Sequence, residues 1–388
     1  MMDYDRLLSQ KVKEIKPSGI RKFFDIVAVM KDAISLGVGE PDFVTPWHIR
    51  DAGIQSLQEG KTYYTSNWGL LELRTEAAAY LKRRYGLEYK PDSEVLITVG
   101  GSEGIDNTIR ALVSPGDEVL IPEPSFVCYQ PCVLLSGGVP VPIETKVEDE
   151  FKLTARQLKE KITPKTKLLI LPFPNNPTGG IMEKKDLEEI AEVIRGTDIL
   201  VLSDEIYSEL TYGLKHTSIA SIDGMWERTV VINGLSKSHA MTGWRIGLVF
   251  GPAPILQQVT KIHQYAIMSA PTVSQYAAVE ALRAGDKDIE YMCGQYNMRR
   301  KLMHEGFNKM GLTCFEPRGA FYMFPSIKST GLTSEDFCER LLREEKVAVV
   351  PGNAFGDSGE GHIRCCYAYS VEHIKVALDR IEHFLGKL

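Results

Sequence analysis

From residue 94 onward, short and almost purely apolar runs alternate with amphipathic windows. The apolar runs are EVLITVGG (94–101), DEVLIP (117–122), KLLILPF (167–173), DILVLSDE (198–205), TVVINGLS (229–236) and RIGLVFG (245–251), with helical text such as KKDLEEIAEVIR (184–195) between two of them. Val/Ile/Leu runs without alternation predict strands buried on both faces, and strands separated by helices predict a mostly parallel sheet. Residues 253 to about 310 read as helix. Beyond them, GLTCFEP and GAFYMFPSI read as strands, SEDFCERLLREE as a helix, and KVAVVPG and HIRCCYA as strands. A closing helix runs from Val371 to about Leu385 and stops at Gly386. Near the amino terminus, apolar positions Val12, Ile15, Ile20, Phe23, Phe24 and Val27, broken by Pro17 and Gly19, predict a short helix, a turn and a second helix. The expected fold is α/β: a large domain with a mostly parallel sheet flanked by helices, over 45–285, and a smaller α+β domain from 1–44 and 286–388.

The length of 388 residues fits two domains. Lys plus Arg number 45 against 51 Asp plus Glu, a net charge of −6, which argues against a nucleic-acid surface. Seven cysteines, at 128, 132, 293, 314, 338, 365 and 366, have neither CxxC nor zinc-ligand spacing and read as reduced thiols. The opening MMDYDRLLSQKVKEIK has no apolar core of a secretory signal, and no apolar run approaches the ~18 residues of a membrane span. A cytoplasmic protein with no membrane partner is expected.

Parallel α/β sheets bind ligands at the carboxyl ends of their strands. After EVLITV come Gly100, Gly101 and Ser102, opening a helix whose amino terminus suits a phosphate or serves as a plain turn. After KLLILPF comes PNNPTGG, a turn by composition that also sets asparagine amides at the ligand face. Asp204 ends the next run, as a ligand carboxylate or a helix cap. Lys237 follows TVVINGLS, and lysine is seldom buried unpaired; desolvation would make it a Schiff-base nucleophile. Arg245, eight residues on, offers a planar fork for phosphate. Phosphate cradle, strand-end Asp, nucleophilic Lys, Arg and Asn together describe a site for pyridoxal 5′-phosphate (PLP).

Over essentially its whole length the chain resembles the class I aminotransferases of the aspartate aminotransferase fold (PLP-dependent fold type I), nearest the aromatic amino acid and N-acetyl-LL-diaminopimelate subgroup. The residues that carry this are SLGVGEPDF (35–43), YYTSNWGLLELR (63–74), PNNPTGG (174–180), SDEIY (203–207), SKSHAMTGWRIG (236–247) and HIRCCYA (362–368). The resemblance implies Lys237 as the Schiff-base lysine and proton carrier, and Asp204 on the pyridine nitrogen. It places Tyr207 and Asn176 on the ring hydroxyl and Phe126 stacked on the ring. Gly101, Ser102, Ser236 and Arg245 would bind the phosphate, with Tyr64 given to the neighbouring subunit of a homodimer. Arg364 would grip the substrate α-carboxylate beside Gly37 and Asn176. The sequence departs from the pattern at Phe126, which lacks the hydroxyl some relatives have, and at Gly234, where a serine-rich stretch is reduced.

The implied reaction moves an amino group from an L-amino acid to a 2-oxo acid such as 2-oxoglutarate. Ile20, in the KPSGI segment matching the amino-terminal active-site loop of related enzymes, is apolar and favours an aromatic or bulky substrate. Aspartate or N-acetyl-LL-diaminopimelate as substrate, or a PLP-dependent cysteine-S-conjugate β-lyase, remain alternatives. A non-catalytic PLP sensor is disfavoured, because the full catalytic set is present and no DNA-binding segment is added.

Overall fold

The computed structural model describes residues 2–15, 17, 30 and 32–388. In chain order its strands are β1 (Ile34–Ser35), β2 (Val95–Thr98), β3 (Glu118–Glu123), β4 (Val139–Glu144), β5 (Thr166–Leu171), β6 (Leu200–Asp204), β7 (Thr229–Gly234), β8 (Gly247–Phe250), β9 (Tyr322–Met323), β10 (Val347–Ala348), β11 (Val350–Pro351) and β12 (Ile363–Cys366). Seven of them make one sheet in the order β2-β8-β7-β6-β5-β3-β4. β8 runs antiparallel to β2 and β7, and all other pairings in this sheet are parallel.

Neighbouring residues on these strands enter different cores, which is why the runs lack alternation. Ile97, Leu169, Val201, Val231 and Leu248 pack on one face under helices Leu71–Tyr85, Lys184–Ile194 and Thr272–Ala284. Leu96, Leu168, Leu202, Val230 and Val249 pack on the other, under Gly100–Leu112 and Ala253–Ala266. The six predicted runs are six of the seven strands. The seventh, β4, was not predicted because Pro140 and Pro142 lie within it. It pairs only with β3, and an edge strand tolerates residues that cannot donate a ladder hydrogen bond.

Residues 286–388 supply most of a second core. Helix Ser334–Glu345 begins at Thr333, whose side chain accepts from Asp336 N, and buries Phe337, Cys338, Leu341 and Leu342. Helix Val371–Leu385 buries Ile374, Ala377, Leu378, Ile381 and Phe384. Both pack with helix Asp286–Lys309 and with a small sheet ordered β11-β12-β9. The core continues into Tyr207, Leu210 and Tyr212, and β1 pairs with β10. GLTCFEP, expected as a strand, is not one: the backbone N–H of Cys314 is taken by the Asn308 side chain at 3.1 Å. GAFYMFPSI contributes only β9, and KVAVVPG divides into β10 and β11. Helices Tyr4–Leu7 and Gln10–Glu14 open the chain; the second expected amino-terminal helix, with Ile20, lies outside the described residues.

All seven cysteines are free, and Cys314, Cys338, Cys365 and Cys366 are buried. Among the described residues, no helix is long and apolar enough to cross a membrane, and no cluster of His, Cys, Asp and Glu is placed to hold a metal ion.

Candidate active site

The segments that leave β2, β5, β6 and β7 at their carboxyl ends converge, with β9 and β12, on a cavity of about 310 Å³. Ten of the expected residues line it: Gly101, Ser102, Phe126, Asn176, Asp204, Tyr207, Ser236, Lys237, Arg245 and Arg364. Gly37 joins through its carbonyl, which accepts from Arg364 Nη2 at 2.5 Å. Tyr64 does not line the cavity and is 77% exposed. Ile20 lies outside the described residues.

Lys237 sits where β7 gives way to a turn, and its Nζ donates to the Gly39 carbonyl at 2.7 Å. Burial pulls its amine down from the ordinary lysine range to about 8. Cys366 and Glu40 oppose that shift, while Arg364 and Arg245 add to it. An amine near 8 is neutral in about a quarter of molecules at pH 7.5, against roughly a thousandth for ordinary lysine.

Asp204 closes β6 and is buried. Desolvation lifts its carboxyl to about 6, opposed by the Tyr129 hydroxyl, 2.6 Å from Oδ2, and by the Ile206 N–H on Oδ1. Its hydrogen-bond donors are neutral, so a cation brought against it would gain strongly.

Arg364, on β12, is 3% exposed. Nη1 donates to Asn176 Oδ1 at 2.9 Å and Nη2 to Gly37, while Nε is buried without a partner. Its direct acceptors are neutral oxygens, which leaves the guanidinium charge to an incoming anion. Arg245 reaches from the opposite wall to the start of helix Gly100–Leu112. Gly100 has φ +77°, and a methyl group there would lie 2.5 Å from Arg245 Nη2. The missing side chain leaves room for the guanidinium beside the helix amino terminus, two groups that each favour an anion.

The donor set therefore fits three features of one ligand: an anion at Gly100–Ser102 and Arg245, a cationic ring atom at Asp204, and a carboxylate at Arg364. Sequence reasoning missed Tyr129 and Tyr322. Tyr129 stands one helical turn past Phe126 in the same segment, a spacing that could have flagged it. Tyr322 lines the cavity with its hydroxyl 2.7 Å from that of Tyr207; nothing in GAFYMFPSI tells which side of the strand meets the site.

Residues 31–381 match the family described as aminotransferase class I and II. An aspartate aminotransferase of Pyrococcus abyssi (strain GE5 / Orsay) is 48% identical over 381 residues, covering 97% of this chain and 98% of its own. The "Probable N-acetyl-LL-diaminopimelate aminotransferase" of Bacillus subtilis (strain 168) is 46% identical over 383 residues, covering 99% and 97%. The crystal structure of an aromatic aminotransferase from Pyrococcus horikoshii OT3 superposes with a TM-score of 0.90 at 46% identity, covering 94% of this chain and 99% of that one.

Proposed function

As the chain belongs to the aminotransferase class I and II family, we propose that it moves the amino group of an aromatic or bulky L-amino acid to a 2-oxo acid such as 2-oxoglutarate, in the cytoplasm, with PLP in the Lys237 cavity. The observation that carries the substrate choice is the inventory of cations. Among the described residues lining the cavity these are Lys237, Arg245 and Arg364. One is the reacting amine, one stands with the phosphate cradle and one is left for the α-carboxylate. A second carboxylate, which aspartate as donor and 2-oxoglutarate as acceptor both carry, meets no cation among these residues. A donor with a neutral side chain is therefore favoured, and the acceptor's distal carboxylate is left to neutral donors or to the second copy. Overall identity does not separate the substrates, since relatives named for aspartate and for aromatic amino acids stand at 48% and 46%.

When bound, PLP supplies the electron-withdrawing ring that acidifies the substrate's α-hydrogen. The residues around it divide the remaining work. Lys237 takes the proton from the α-carbon, and its lowered basicity keeps a usable fraction of free amine near neutral pH. Asp204 holds the ring nitrogen's proton, and Tyr129 holds Asp204. Arg364 fixes the α-carboxylate, while Asn176 accepts from Arg364 through Oδ1 and keeps its amide protons for the ring oxygen. Tyr207 donates to that same oxygen, Phe126 covers the ring, and Gly101, Ser102, Ser236 and Arg245 hold the phosphate.

Residues 45–285 form the cofactor-bearing part in this reading, with 1–44 and 286–388 closing over the substrate. The enzyme works as a homodimer: Trp47, Tyr63, Tyr64, Tyr265 and Ile267 are exposed apolar side chains, and a second copy covering them would receive Tyr64 at its phosphate.

Absorbance of the protein loaded with PLP, followed while phenylalanine, tyrosine, aspartate or glutamate is added singly, tests the reading. Phenylalanine or tyrosine should convert the chromophore fastest, with 2-oxoglutarate restoring it. Faster conversion by aspartate would move the substrate class to dicarboxylates. Pyruvate from a cysteine conjugate, with no amino transfer, would make the protein a lyase.

A further inference from the structure

We propose that Tyr322 is a positioning residue for the reaction, its ring holding Arg364 and its hydroxyl aiming Tyr207. This rests on the reading of the cavity given above.

Tyr322 is 1% exposed, on β9, which pairs with the β12 strand that carries Arg364. Its ring centre lies 4.6 Å from the Arg364 guanidinium carbon, with the Phe355 ring at 4.8 Å from the same carbon. Aromatic faces at that distance attract the cation and limit where the planar fork can turn. The ring thus orients a donor set that has no carboxylate partner of its own.

The hydroxyl has a different task. It lies 2.7 Å from the Tyr207 hydroxyl, and either oxygen could be the donor. A phenol has one proton to give and lone pairs to accept with. If Tyr207 donates into the cavity, its oxygen must accept, and the hydroxyl that meets it among the described residues is that of Tyr322. Tyr322 donating to Tyr207, and Tyr207 donating onward, makes a chain of two hydrogen bonds whose members polarise each other. The crowding fixes this hydroxyl in place: a methyl group at Gly39 would lie 2.3 Å from Tyr322 Oη, and the Gly39 carbonyl is the acceptor for Lys237 Nζ. One side chain therefore touches the surroundings of the proton carrier, the ring-oxygen donor and the carboxylate fork.

Ring and hydroxyl can be separated by substitution. Tyr322→Phe keeps the ring and removes the relay; Tyr322→Leu removes both. Four readouts apply: the pH midpoint of the visible absorbance of the PLP-loaded protein, affinity for α-methylphenylalanine (which lacks the α-hydrogen and is not turned over), kcat and KM. Without its partner, Tyr207 is a weaker donor, the ring oxygen it serves is more basic, and the chromophore loses its proton later. For Tyr322→Phe the midpoint should rise by roughly half to one pH unit. Probe affinity and KM should stay within about twofold while kcat falls several-fold. Tyr322→Leu should show the same midpoint shift and in addition bind the probe roughly fivefold or more weakly.

A Tyr322→Phe protein with an unmoved midpoint, or one that loses probe affinity at unchanged kcat, overturns the proposal. Should Tyr322→Leu fail to fold, the Phe variant carries the test alone, since it deletes one oxygen. Wild-type protein that takes up no PLP would overturn the reading of the cavity and this inference with it, whereas a loaded wild type with an indifferent Tyr322→Phe sinks this inference only.

Discussion

Gly100→Ala separates what the phosphate cradle requires from what the fold requires. The substitution has two effects of different kind. Alanine at φ +77° is strained by about 1 kcal/mol. Its methyl group would also lie 2.5 Å from Arg245 Nη2, about 1 Å inside ordinary contact. The guanidinium is the far end of a flexible exposed side chain, held by one hydrogen bond from Nη1 to the Thr242 carbonyl at 3.1 Å, so it retreats and the fold is spared. What is lost is a charge-assisted hydrogen bond to the phosphate, worth about 1.5–3 kcal/mol, or roughly 10- to 150-fold in affinity. Gly86→Ala is the control for strain alone, because Gly86 has φ +72° with nothing within 4 Å of an added methyl. With entropy of unfolding scaling with length, 1 kcal/mol is about 1 °C in Tm for both variants. Fluorescence titration with PLP should find Gly86→Ala indistinguishable from wild type and Gly100→Ala weakened. Pyridoxal, which lacks the phosphate, should bind both variants alike. Equal PLP affinity in the two variants, or equal weakening for PLP and pyridoxal, would refute the assignment of Arg245 and Gly100 to a shared anion.

Other perturbations reach different parts of the molecule. Lys237→Ala should abolish turnover while leaving the melting curve near wild type, and a normal rate would sink the assignment of Lys237 as proton carrier. Tyr129→Phe removes the 2.6 Å donor from a buried carboxylate. It should raise the Asp204 pKa further and weaken PLP by about 1–2 kcal/mol, measured by the same titration. Glu123 is buried and its carboxyl is lifted to about 7 by desolvation, with Gln130 donating to it. The folded state then binds more protons than the unfolded state between pH ~4.5 and ~7, so this group lowers stability progressively across that window. Glu123→Gln should be about 2–3 kcal/mol more stable than wild type above pH 7, with the gap closing toward pH 4.5 in urea unfolding. A gap independent of pH would show that Glu123 is not the titrating group.

The sheet was legible because its strands are buried on both faces, and burial on both faces writes itself as uninterrupted Val, Ile and Leu. β4 escaped because an edge strand is under no such demand and Pro140 and Pro142 can sit in it. GLTCFEP misled in the other direction: its apolar residues face a core, yet the Cys314 N–H goes to the Asn308 side chain instead of to a neighbouring strand. In the site, side chains that must leave a strand end in a fixed direction, such as Asp204 and Lys237, were readable from position. Tyr322 was not, because its importance lies in what stands opposite: Tyr207 is 115 positions away in sequence. The carbonyls of Gly37 and Gly39 show the same limit, since any residue has a carbonyl and only the fold says which one receives a cation.

β8 is the one strand of the large sheet that runs against its neighbours, and Gly234 at the end of β7 is paired directly with Gly247 at the start of β8. The chain between them returns along the same rim instead of crossing a face of the sheet. Lys237 and Arg245 consequently hang from a single short loop with both feet on adjacent strands. Their separation is bounded by contour length, as on a ruler, and the loop is pinned where the Thr45 hydroxyl donates to the Ala240 carbonyl and accepts from Trp244 Nε1. One residue inserted at 238–244 would put the two anchors out of step without disturbing a ladder hydrogen bond. The opposite wall, borne by β9 and β12, belongs to another sheet, so Tyr322 and Arg364 are placed independently of that ruler.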